Sequence, residues 1–78
     1  MNDSKTMAMI KLLPALQYVF PEIKNAFYRI DQDAKEEYVV IQVRYQGTSR
    51  RDFEICVTCD SIAAMYDDVW KECKRRFL

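Results

Sequence analysis

Tyr38-Val39-Val40-Ile41-Gln42-Val43-Arg44-Tyr45 alternates, with Val39, Ile41, Val43 and Tyr45 on one face and Tyr38, Val40, Gln42 and Arg44 on the other. A side-chain period of two is the mark of a strand. Phe53, Ile55 and Val57 alternate with Glu54, Cys56 and Thr58 in the same way, so a second strand with one apolar and one mixed face follows. The segment from Gln46 to Asp52 joins the two as a hairpin loop. After it the period changes. Ile62, Met65, Tyr66, Val69, Trp70, Cys73 and Phe77 fall in steps of three and four, which places them on one face of a helix. Asp60 or Ser61 can cap its start, and Lys74, Arg75 and Arg76 sit at its negative end. This helix is expected to pack on Val39, Ile41, Val43, Phe53, Ile55 and Val57.

Toward the N-terminus the pattern admits two readings. Ile23, Ala26, Phe27 and Ile30 fit a helix opened by Pro21, whereas Phe27 to Asp31 running into a polar loop fits a strand. The strand is favoured, because it completes a meander in which Asp31-Gln32-Asp33-Ala34-Lys35-Glu36-Glu37 is a hairpin connection. Residues from Ser4 to about Phe20 read as a helix with Asp3 or Ser4 as cap and Pro14 as a kink or a break into two short helices. The expected fold is α+β: an N-terminal helix, a three-stranded antiparallel β-meander and a C-terminal amphipathic helix packed on the sheet. One domain spans residues 1–78.

Composition removes most enzyme classes. The chain has no histidine, which excludes Ser-His-Asp and Cys-His mechanisms and His-containing zinc sites. A single glycine, Gly47, leaves no P-loop and no dinucleotide fingerprint. We expect no enzyme, no cofactor and no metal. Three cysteines are an odd number without the dense spacing of a secreted disulfide scaffold, and a cytoplasmic setting is the simpler reading. The run from Met7 to Phe20 is too short and too interrupted, by Lys11 and Pro14, to cross a membrane. Asp3 and the lack of a small-residue cleavage site also set it apart from a secretory signal.

Three local patterns invite site readings. Cys56-Val57-Thr58-Cys59 has C-x-x-C spacing, but lacks the Gly-Pro of thioredoxin-type sites and is followed by Asp60; two strand-end thiols acting as small apolar residues is the simpler account. Cys73 lies about three helical turns from the start of its helix, too far to join a zinc site with the other two. The loop from Asp31 opens like a calcium loop, yet Glu36 stands where glycine is required and Gln42 where glutamate is usual.

What remains is surface. Eleven of the fourteen residues from Met7 to Phe20 are apolar, so the first helix is apolar nearly all round. Such a helix is normally buried on every side. Either two short helices fold over each other, or Leu12 and Leu16 form a homodimer seam or a docking surface for another protein. Tyr18, Phe20, Tyr28 and Tyr38 are the aromatic contact candidates, and Asp31, Asp33, Glu36 and Glu37 an acidic patch for a basic partner. The alternative is a nucleic-acid face of Arg44, Arg50 and Arg51, stacking bases on Tyr38. Charge is against it. Twelve bases equal twelve acids, with five against six in residues 1–39 and seven against six in the remainder.

In its size, its lack of cofactor motifs and its helix–hairpin–helix economy, the chain is similar to small accessory proteins encoded by phages and mobile elements, including inhibitors of host defence such as anti-CRISPR proteins. That resemblance implies a steric mechanism, in which the protein occupies a partner's surface and the acidic loop imitates nucleic-acid phosphate.

Overall fold

A computed structural model describes residues 3–44, 51–57 and 61–78. The elements run α1 (Asp3–Val19), β1 (Ile23–Asp31), β2 (Glu36–Val43), β3 (Phe53–Cys56) and α2 (Ile62–Phe77). The three strands pair antiparallel in the order β1-β2-β3, and the α+β architecture is the expected one. Tyr45 and Thr58, expected at strand ends, lie outside the described residues.

β1 is a strand and begins at Ile23, earlier than the alternation at Phe27 suggested. Ile23 pairs with Val43 and Asn25 with Gln42, so β1 carries an extra residue, a bulge, at this point. Ile23 and Ala26 both reach the core, a spacing that an unbroken period of two forbids. Gln17 on α1 holds the bulge, its Nε2 donating to the carbonyls of Lys24 at 3.1 Å and Ile23 at 3.4 Å. The β1–β2 turn is built by Asp31, whose Oδ1 accepts the N–H groups of Asp33 and Ala34, each at 3.1 Å. Lys35 closes it in the left-handed region, at φ 55°.

Strand parity divides the sheet into two faces. Ala26 and Tyr28 on β1, Val39, Ile41 and Val43 on β2, and Phe53 and Ile55 on β3 point inward, followed by Val57 just beyond. They meet Ala8, Met9, Leu12 and Leu16 of α1 and Met65, Val69 and Cys73 of α2, apart from Val43, which is buried beside this cluster. Both helices therefore cover the same face. α1 lies chiefly over β1, and α2 lies beside it toward β3. The Tyr66 hydroxyl ties the helices together by donating to the Ala8 carbonyl at 3.0 Å. Phe20 closes one end, with its ring centroid 5.7 Å from that of Trp70 and 5.6 Å from that of Phe77. Ser61 caps α2: its backbone is extended and its Oγ accepts the Ala64 N–H at 3.1 Å.

α1 corrects two expectations. It is one continuous helix through Pro14, so there is no pair of short helices folding over each other. Pro14 lies on the exposed side of the helix, and its ring removes the N–H that the Ile10 carbonyl would otherwise accept. Leu12 and Leu16 are core residues and so cannot form a surface seam, because their helical face is the one that lies on β1 and α2. Phe20 and Tyr28, expected as contacts, are buried too.

Candidate interaction surfaces

With Leu12 and Leu16 inside, the opposite side of α1 is left to solvent. At ~100° per residue, Met7, Lys11, Pro14 and Tyr18 fall within an arc of roughly 60°, pointing away from the arc of Lys5, Ala8, Met9, Leu12 and Leu16. All four are exposed, Met7 by 51% and Tyr18 by 88%, and Ile10, 57% exposed, flanks them. α1 thus carries two apolar faces, and the domain buries one. The neighbouring α2 has no such surface. Its outer side carries the ion pairs Asp67–Lys71 and Glu72–Arg75/Arg76, in which Arg75 and then Arg76 hold the Glu72 carboxyl down at about 2.

The second surface is the uncovered sheet face. Phe27 pairs with Val40 and Arg29 with Tyr38, and Glu54 and Cys56 flank them on β3. Its polar groups satisfy one another. The Arg29 guanidinium binds Glu54 at 2.5 Å and stacks over the Tyr38 ring at 4.9 Å. The Tyr38 hydroxyl donates to the Glu36 carboxylate, a bond that raises its pKa to about 12. Part-exposed apolar side chains beside one ion pair, a stacked guanidinium and a tyrosine–carboxylate hydrogen bond are what an antiparallel sheet ordinarily shows to water.

The acidic loop dissolves as a common patch. Asp31 is spent on the turn, Glu36 on Tyr38, and Glu37 on an internal triad; Asp33 is exposed at the tip. In the triad, Glu37 Oε1 accepts from Lys5 Nζ at 2.5 Å and from the Tyr28 hydroxyl at 2.6 Å. These two bonds, Lys5 first, hold the Glu37 carboxyl below its ordinary range. The group ties the start of α1 to the turn end of the sheet.

Arg44 is exposed, but its Nε donates to the Pro21 carbonyl at 3.1 Å, and Arg51 is exposed beyond the start of β3. Arg50 lies outside the described residues, as does Cys59 and with it the C-x-x-C reading. Cys56 is exposed on the open sheet face, whereas Cys73 is buried in the core, where burial pushes its thiol up to about 11. Among the described residues no group of His, Cys, Asp or Glu side chains is placed to hold a metal ion, and no helix is long and apolar enough to cross a membrane.

Met7 and Ile10 are exposed apolar residues of α1 that sequence reasoning missed. The signal was present in Lys11 and Pro14, the two residues of the run that a buried helix face tolerates least. They mark the solvent side, and Met7 and Tyr18 stand one turn before and one turn after them. Comparison with protein families, with curated proteins and with solved structures finds no match to this chain.

Proposed function

We propose that the protein is a non-enzymatic protein-binding module whose contact surface is the outer face of α1. One observation carries this reading: the Met7–Tyr18 face is apolar and exposed on a helix whose opposite face already fills the core. Polar groups elsewhere bind one another, in the Arg29–Glu54–Tyr38–Glu36 group of the open sheet face and the Lys5–Glu37–Tyr28 triad. The resemblance to small phage-encoded inhibitors fits the same picture, in which steric occupation is the whole mechanism.

The test is a photo-crosslinking residue placed at Tyr18 and, separately, at Lys71 on the charged outer side of α2. Both sites are exposed, so neither replacement disturbs the core. The expected result is discrete protein adducts from position 18 and none from position 71. Equal labelling at both sites, or none at 18, overturns the reading.

A further inference from the structure

We infer that the partner of this face is a second copy of the chain, docked so that the two α1 helices run antiparallel. The inference rests on the reading of α1 as a contact face and specifies what covers it. Met7, Lys11, Pro14 and Tyr18 are spaced four, three and four apart, the a/d spacing of a helix-pairing seam. A two-fold axis running between the two helices, level with the midpoint of positions 12 and 13, exchanges 7 with 18 and 11 with 14. Met7 of one copy then meets Tyr18 of the other, a thioether against an aromatic ring. The aliphatic stem of Lys11 lies over the flat Pro14 ring, with its ammonium reaching out to water. Every layer sets a flexible chain against a ring, and none sets two charges together. A surface complementary to itself under a two-fold is what an isologous interface requires.

Charge decides the direction. In a parallel pair, Lys11 faces its own copy in one layer, two ammonium groups within an apolar seam. Running antiparallel shifts them apart by three residues, ~4.5 Å along the axis on top of the ~8–10 Å between helices. No acidic residue lies on the ridge to pair with Lys11 in either arrangement.

Area decides the strength. A ridge ~16 Å long on a helix ~10 Å across offers a few hundred Å² per copy. Two such faces fall short of the ~1,200 Å² at which stable interfaces begin. The dimer is therefore weak, with Kd between ~10 μM and ~1 mM.

Sedimentation equilibrium of the purified chain from ~5 μM to ~1 mM tests this against that predicted Kd range. The expected result is a reversible monomer–dimer equilibrium that Met7→Lys alone and Tyr18→Glu alone each weaken at least ~10-fold, ~1.4 kcal/mol being the cost of one decade. Mixing the two variants restores it, because the antiparallel two-fold brings the new lysine onto the new glutamate. Thermal melts of both variants at the lowest concentration match the parent, since both positions are exposed. A mixture no better than its components overturns the antiparallel seam. A chain that stays monomeric at every concentration overturns self-pairing, and discrete adducts to other proteins from position 18 then show that the contact-face reading stands without it.

Discussion

Leu16→Ala and Tyr18→Ala, two positions apart on α1, separate the two faces of that helix. Leu16 is 0% exposed, within the core cluster shared by α1, the sheet and α2. Its truncation removes a fully buried side chain and leaves a cavity that the helix, tied at its ends by Gln17 and by Lys5, closes only in part. The transfer and cavity contributions together cost ~2–5 kcal/mol. A domain of this length has a total stability of only ~4–12 kcal/mol, so the loss is a large fraction of it. At ~4–8 °C per kcal/mol for a small domain, the melting temperature falls by at least ~8 °C. Tyr18 is 88% exposed, and its replacement changes stability by less than ~0.5 kcal/mol.

The assay is urea unfolding followed by far-UV circular dichroism and by the fluorescence of Trp70, the only tryptophan, which sits 5.7 Å from Phe20. Protein is held near ~5 μM, below the proposed dimer range, so that folding alone is read. Equal losses for the two variants, or a loss above ~1 kcal/mol for Tyr18→Ala, would refute the assignment of α1's faces.

Other measurements probe the remaining contacts. The bonds from Lys5 and Tyr28 lower the Glu37 pKa, so this carboxylate adds stability above the unfolded-state value of 4.5 that is lost as pH falls through its lowered folded value. Glu37→Gln should therefore lower stability at pH 7 and flatten this acid limb, and an unchanged pH profile would dismiss the triad as a stabilising element. Single-cysteine proteins retaining only Cys56 or only Cys73 should differ in reaction with a thiol reagent at pH 8, Cys56 labelling in the native state and Cys73 only on unfolding; comparable rates would contradict the burial that pushes Cys73 to about 11. Lys35→Gly should raise the melting midpoint, since it relieves a left-handed residue at a cost of order ~1 kcal/mol; a lower midpoint would show the turn to be unstrained.

The later part of the fold was legible because its periods are unmixed. α2 buries Met65, Val69 and Cys73 with a clean polar face opposite, and β2 and β3 alternate without a break. β1 was harder for a definite reason. Its bulge places Ile23, Ala26 and Tyr28 inward at steps of three and then two, so the first step mimics a helix and the second a strand. Gln17, which secures the bulge, belongs to another element, and no local pattern announces that bond. The acidic residues misled in a different way. Composition places Asp31, Asp33, Glu36 and Glu37 together, but a turn, a tyrosine and a buried lysine draw them to different tasks. Charge density in a sequence cannot say which carboxylates remain for a partner.

The apolar surplus of α1 bears on how folding and association are related. A chain this short can depend on a partner for its stability, and a helix apolar all round first suggests that the core itself is shared between copies. Here the inward arc of α1, with the covered face of the sheet and α2 contributing, already completes a core with ten fully buried side chains among the described residues of one chain. The Met7–Tyr18 ridge contributes almost nothing to that core, because Met7, Ile10 and Tyr18 each keep about half or more of their surface in water. Folding and association therefore draw on separate sets of residues on the same helix. Polar replacements along the ridge should abolish contact while leaving a folded monomer, whereas replacements at Leu12 or Leu16 should abolish both through unfolding. That asymmetry is what a transient binding module requires, since it must remain folded while its partner is absent, and an obligate dimer built on a shared core would not show it.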